Sequence, residues 1–396
     1  MSLTLSQIAR WSGGVLLQGR PSDRVETVST DSRKVEPGQI FVALKGDRFD
    51  AHDFIGEVAG KGATALLVSD LKRETESYGG AVVRVDDTLG GLQRLAFHHR
   101  RNMPGLFVVG VTGSNGKTST KDFISAALFA GGNVCKTDGN LNNHIGLPLT
   151  ILSCSDQDHY GVWEMGMNHS GEIEVLADIA QPDAAVITHI GSAHIEHLGS
   201  REAIAEEKSQ LAVAVPKSGY CVMPQTDDFY DFVSDRASCT MVPVGLEQGE
   251  VRAEEVSIVE GGRSRFLIAS DFQERPEVVL PVQGRHMIVN ALLAAAVALR
   301  QGISPEAIAS KLSASTLTEG RLQERDIEGF RFLDDSYNAN PDSMRAAVET
   351  LRDTRVAGKR IAVFGFMGEL GEHELPEHQK LGASLEGYGV DVLVSV

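Results

Sequence analysis

Positive charge is in the minority in this chain. Its 37 Lys and Arg stand against 54 Asp and Glu, a formal net charge of −17. No basic face is evident, which disfavours general affinity for nucleic acid. A substrate carrying phosphates must then meet local positive charge, because the overall field repels it. Long apolar runs are missing too. None approaches the ~20 residues that span a bilayer. The start, MSLTLSQIARWSGG, lacks a basic region followed by an apolar core, so no signal peptide is read there. Cysteine is sparse. Cys135, Cys154, Cys221 and Cys239 form no C-x-x-C pair. Such dispersed thiols suit a reducing cytosol, and packed, unligated roles are expected for them. These absences together lead to the expectation of a cytoplasmic protein that binds neither nucleic acid nor membrane.

With 42% hydrophobic and 23% charged residues, no large disordered fraction is indicated. The 396 residues are enough for two or three domains. Residues 1–85 read as a small mixed domain in which QIFVALKG and ATALLVSD are strand-like and STDSRKVEPGQ is a turn-rich loop. From 86 to 315, short apolar runs (GLFVVGVTG, VWEMGM, DAAVITHI, GYCVMP) alternate with helical patterns, including the Ala-rich run closed by Gly302. That alternation predicts a mostly parallel sheet with helices on both faces. Residues 316–396 start a third α/β unit, and an end at VDVLVSV gives it so few elements that a longer natural protein is expected.

The standard phosphate-loop pattern is G-x-x-x-x-G-K-[ST]. With Gly116-Lys117-Thr118 as its end, the first glycine would fall on Val111, so the common pattern fails by one residue. The context is nevertheless right. A strand feeds Gly113, Ser114, Asn115 and Gly116, and a helix follows with Lys117, Thr118 and Ser119. Backbone N–H groups at such a junction cradle an anion. Lys117 supplies a point charge there, and the Thr118 hydroxyl suits Mg2+. Glu164 ends an apolar strand, where a carboxylate can hold Mg2+ opposite the nucleotide. His189, His194 and His197 follow another strand without zinc-type spacing. On the bare sequence Lys208, beside Glu206 and Glu207, reads as a solvated helical lysine.

The stretches TGSNGKTS, EMGMNHSGEI, AHIEHLGS with EEK, and DDSYNANPDSM together resemble the Mur ligases, the ATP-dependent enzymes that build the peptidoglycan stem peptide. The loop variant T-G-[ST]-N-G-K-[ST] is that family's own and accounts for Val111. The stretches STDSRKVEPGQIFVALKGDRFDAHDFI, DGNLNNHIGLPLTIL and DDSYNANP are similar to those of the members that add D-alanyl-D-alanine to UDP-N-acetylmuramoyl-tripeptide. The resemblance implies three α/β domains: a small substrate domain, a central ATPase domain and a Rossmann-like domain. It implies that Gly113 through Ser119 wrap the ATP phosphates, that Thr118 and Glu164 hold one Mg2+, and that His194 and Lys208 help hold a second. Lys208 would carry a carbamate from CO2, which reverses the bare reading.

Asn290 is implied to meet the adenine, although Met287 stands where the family usually has Asn. Arg321 would reach the γ-phosphate and Asp335 the ribose. Thr30, Asp31, Ser32 and Arg33 would hold the uridine diphosphate end, with Asn140, Asn142 and Asn143 facing the same substrate. Glu369 and His378 would shape the dipeptide pocket, and a monomer is implied. From the residues alone, Asn340-Pro341 suits a helix start. The alternatives are another Mur-type ligase, such as the diaminopimelate-adding enzyme or a folylpolyglutamate synthase, and a nucleotide-binding module without ligase activity. The TDSR domain argues against the folate enzyme.

Overall fold

Apolar runs bounded by turns bury themselves by pairing, and the described residues do so in two large sheets and three two-stranded pairs. The computed structural model describes residues 2–46, 48–260 and 262–396. The first sheet contains β1 (Val15–Gln18), β2 (Thr27–Ser29), β3 (Gln39–Val42), β4 (Ala65–Val68) and β5 (Ala81–Arg84), in the order β1-β5-β4-β3-β2. Only the β1–β5 pair is antiparallel. The Asp87 carboxylate then starts helix α1 (Thr88–Arg101) by accepting from the N–H groups of Leu89 and Gly90.

The central sheet has nine strands: β6 (Phe107–Thr112), β7 (Val134–Lys136), β8 (Tyr160–Glu164), β9 (Ala184–Ile187), β10 (Tyr220–Pro224), β11 (Thr240–Gly245), β12 (Val251–Val259), β13 (Arg263–Ala269) and β14 (Glu277–Val279). Their order is β14-β13-β12-β11-β10-β9-β6-β8-β7. All pairs from β7 to β12 are parallel, and β12–β13 and β13–β14 are antiparallel. Helices α2 (Lys117–Leu128), α6 (Arg285–Arg300) and α7 (Pro305–Ser313) share one apolar core, while α1, α3 (Gly146–Ser153), α4 (Glu172–Ala180) and α5 (Arg201–Ala214) build the other. After β6 the chain runs to β7 and β8 on one side, then crosses to β9 on the other. The crevice at the carboxyl ends of β6, β8 and β9 is therefore a switch point, where such sheets bind ligands.

The third unit holds the hairpin β15 (Gln323–Ile327) and β16 (Phe330–Asp334), helix α8 (Pro341–Asp353), and the parallel pair β17 (Ile361–Phe364) and β18 (Val392–Ser395). Asn340 caps α8 with a reciprocal Ser343 contact and Pro341 opens it, as their residue types require. One expectation fails. Cys135, on β7, and Cys154, at the end of α3, form a disulfide with Cα atoms 5.7 Å apart. Sequence spacing does not report that the strand and the helix end meet. Cys221 and Cys239 are free and buried, as expected. Among the described residues no helix is long and apolar enough to cross a membrane.

Candidate active site

The loop after β6 is held open by its glycines. Gly116 has φ +77°, and a Cβ there would come within 2.9 Å of Asn290 Oδ1. Gly113 has φ +150°, and a Cβ would collide with the Thr188 hydroxyl. The loop is also tied to the segment after β9. Ser114 N–H donates to the His189 carbonyl at 2.7 Å, and Gly191 N–H donates to Ser114 Oγ at 2.9 Å. No side chain caps α2 at Gly116, so its first-turn N–H groups are left for an anion.

Three elements converge beyond that loop. Lys117 Nζ donates to the Gly113 carbonyl at 2.7 Å. Burial pushes its pKa below the ordinary lysine value, partly offset by Glu164. Thr118 Oγ1 donates to Glu164 Oε2 at 3.0 Å, and Asn142 Nδ2 donates to Glu164 Oε1 at 2.8 Å. Glu164 is 3% exposed, at the end of β8. From the third unit, an Arg321 Nη2 lies 3.4 Å from Thr118 Oγ1, and its guanidinium stacks 4.2 Å from the Tyr337 ring centre. The Arg321 Nε–H is buried without a partner. These residues line a cleft of about 340 Å³ together with Ser114, Asn140, Asn143 and His194.

His194 sits in the left-handed region at φ +66°. Its Nδ1 lies 2.5 Å from Glu369 Oε2, but the two are not aligned as a hydrogen bond. Lys208, on α5, is 1% exposed, so the solvated reading of it is wrong. Burial holds its pKa well below the ordinary lysine value, and the positive Lys117 adds to the effect. Neighbouring Glu207 does not neutralise it directly, because its carboxylate caps α4 by accepting from the N–H groups of Gly171 and Ile173, each at 2.7 Å.

Three family descriptions match along the chain in order: the Mur ligase family catalytic domain over residues 24–100, the Mur ligase middle domain over 111–298, and the Mur ligase glutamate ligase domain over 320–396. A relative from Bacillus subtilis, UDP-N-acetylmuramoyl-tripeptide--D-alanyl-D-alanine ligase, is 38% identical over 98% of this chain and 84% of its own length. The chain belongs to the Mur ligase family. Its fold is similar to that of MurF from Acinetobacter baumannii, with TM-score 0.93 and 34% identity over 100% of this chain and 86% of that one. It is also similar to a MurF ligase from Thermotoga maritima solved in complex with ADP, with TM-score 0.82 and 30% identity over 94% and 88%.

Within this Mur ligase the other anticipated residues fall in different places. Asn143 Oδ1 accepts from Ile145 N–H and Gly146 N–H, which fixes the start of α3. Asn290 is buried behind Gly116, with its amide 3.7 Å from Met287 Sδ. Asp335 Oδ1 accepts from Leu322 N–H at 3.2 Å. Burial pushes its carboxyl up to about 6, against the pull of Arg321. His378 Nε2 accepts from Met367 N–H, inside the third unit. Thr30, Asp31, Ser32 and Arg33 do not line the cleft. They lie in the loop between β2 and β3, and Arg33 forms a two-pronged ion pair with Asp31. That pairing holds the half-buried Asp31 carboxyl down at about 2.

Other contacts at the site carried no sequence signal. Asn115 and Asn340 exchange amide hydrogen bonds at 3.2 and 2.6 Å across 225 residues. Asp342 accepts from Ser192 N–H at 3.1 Å. Away from the cleft, Asp50, His52 and Asp70 lie close together. Both His52 nitrogens are already used, since Nδ1 donates to Asp50 and Nε2 accepts from Ser69 N–H and Asp70 N–H. That leaves the ring no lone pair for a metal.

Proposed function

We propose that this Mur ligase joins D-alanyl-D-alanine to UDP-N-acetylmuramoyl-tripeptide at the expense of ATP, in cytoplasmic peptidoglycan precursor synthesis. The observation that carries the reading is the convergence of Lys117, Thr118, Glu164 and Arg321 on one cleft. The tripeptide carboxylate attacks the γ-phosphorus of ATP, and the bond to the ADP oxygen breaks, giving an acyl phosphate. The dipeptide amine then attacks the acyl carbon. The tetrahedral intermediate loses phosphate and the nitrogen loses a proton. Two anions must meet in the first step. Lys117 and Arg321 offset their repulsion and stabilise charge on the phosphoryl group in flight. The protein's work is positioning, since little covalent chemistry is asked of it.

The residues fit Mg2+, which takes oxygen donors. Thr118 Oγ1 and Glu164 Oε2 already stand together. Bound there, the ion would neutralise phosphate charge and orient the phosphates. His194 and Lys208 would serve a second ion only if Lys208 ceased to be a cation. Its burial favours the neutral amine, and that amine adds to CO2 with loss of a proton to give a carbamate. Asn290 and Asp335 are assigned to the nucleoside of ATP. The loop from Thr30 to Arg33, with Asn140, Asn142 and Asn143, is assigned to the UDP-linked substrate. The proposed domains run 1–85, 86–315 and 316–396. A monomer is part of this proposal, on the family resemblance alone.

The test is phosphate release from ATP and Mg2+ with the UDP-linked tripeptide, with and without D-alanyl-D-alanine. Release that needs both substrates, with a pentapeptide product by mass, is expected. Equal turnover with diaminopimelate or glutamate in place of the dipeptide, or turnover without any peptide, would overturn the reading.

A further inference from the structure

Helix α2 carries a second polar contact one turn beyond Thr118. Asp122 lies four residues on, on the same face. Its side chain is 2% exposed. Asp122 Oδ2 accepts from Thr318 N–H at 3.0 Å and from the Thr318 hydroxyl at 2.8 Å. Asp122 Oδ1 accepts from Lys136 Nζ at 2.9 Å, with Lys121 Nζ at 3.5 Å. Lys121 in turn donates to the Thr137 carbonyl. The carboxylate is thus fully occupied by protein groups, and two lysines offset the cost of burying it.

Thr318 lies in the segment that leaves α7 for β15, three residues before Arg321. The helix and this segment are therefore joined by two rungs, Asp122–Thr318 and Thr118–Arg321. Only the second reaches the cleft. Beyond Thr318 the path is narrowly defined. Gly320 at φ +71° and Leu322 at φ +50° flank Arg321, and the Gly320 carbonyl accepts from Tyr337 N–H. A fixed anchor followed by a constrained turn sets where the guanidinium sits.

We propose that Asp122 is a positioning residue for phosphoryl transfer, clamping Thr318 so that Arg321 is held over the phosphate-binding loop. This rests on the role given to Arg321 above. Asp122 touches no reacting group in this scheme, so its effect must pass through Arg321. A misplacement of about 1 Å at such a group can cost a hundredfold in rate.

The experiment is a double-mutant cycle on kcat, with nucleotide affinity measured separately. Thr318→Val keeps the shape of the side chain and removes the hydroxyl donor. It is expected to lower kcat about tenfold, to leave the Kd for ADP within twofold, and to be rescued by Thr318→Ser. Asp122→Asn is expected to lower kcat further, about a hundredfold. In an Arg321→Ala background, Thr318→Val should have no further effect, because the group it positions is gone. A merely structural contact would instead give the same fractional loss in both backgrounds, and that result would overturn the clamp. An Arg321→Ala enzyme with unchanged kcat would overturn the role of Arg321 itself, and the clamp's catalytic meaning with it. If Asp122→Asn does not fold, the Thr318 variants decide the question alone.

Discussion

Thr118, in the first turn of α2 after β6, and Glu164, at the end of the neighbouring parallel strand β8, are hydrogen-bonded at 3.0 Å. The pair brings a hydroxyl and a carboxylate oxygen to one point beside the phosphate loop, which is what a hard divalent cation asks for. Thr118→Val keeps the shape and loses the oxygen. We expect kcat/KM to fall about a hundredfold and the Mg2+ concentration for half-maximal rate to rise. A Mg2+ titration of initial rates checks this. An unchanged titration would remove Thr118 from the ion's site.

Lys208 offers a direct spectroscopic test. Its neutral amine is favoured by burial and by Lys117. Wild-type protein in 13C-bicarbonate should show a carbamate carbon by NMR, and Lys208→Met should lack it. Lys208→Arg should be as inactive as Lys208→Met, since a guanidinium cannot take the modification. A wild-type spectrum with no such resonance, in an active sample, would sink the assignment.

His99 predicts the acid limb of stability. Burial holds its pKa below the ordinary 6.5, and its Nε2 faces the Cys154 carbonyl at 3.0 Å. Its Nδ1 is buried without a partner. Below pH 6.5 the unfolded chain binds a proton that the folded chain resists, so stability falls as pH falls from there. His99→Gln can still donate to that carbonyl but does not titrate. Urea unfolding from pH 7 to 5 should therefore show a shallower decline in the variant. Parallel curves would show that His99 does not report on acid unfolding.

The Cys135–Cys154 bridge closes a segment with sequence separation 19, which includes Asn142 and Asn143. Loop closure of this size stabilises by about 3 kcal/mol. Non-reducing peptide mapping should find the two cysteines linked, and reduction should lower the melting temperature. A Cys135→Ser variant should melt as the reduced protein does, with or without reductant. Mapping that finds both thiols free would contradict the bridge.

The fold was legible where burial is two-sided. Runs such as FVVGV and AAVI are wholly apolar because parallel strands under helices have no solvent face. The hairpin strands Val251–Val259 and Arg263–Ala269 are not legible, because one side of them faces water and charged residues interrupt their apolar positions. The phosphate loop was legible because its glycines and Lys117-Thr118 are contiguous. Lys208 was not, since nothing local distinguishes a buried lysine on α5 from a solvated one. Asp122 and Thr318 were silent for a related reason. Their meaning lies in a contact spanning 196 residues, and neither belongs to a local pattern.

The Asn115–Asn340 amide pair joins the nucleotide loop to the cap of α8 without any formal charge. The third unit can swing away only by parting these two amides. Because both are neutral, dissolved ions have little to screen between them. The contacts of Glu369 with His194 and of Asp342 with Ser192 cross the same seam and do carry charge, so opening there should respond to salt through them and not through the amides. The capture of polyanionic substrates in the neighbouring cleft, which relies on Lys117 and Arg321, should weaken as salt is added.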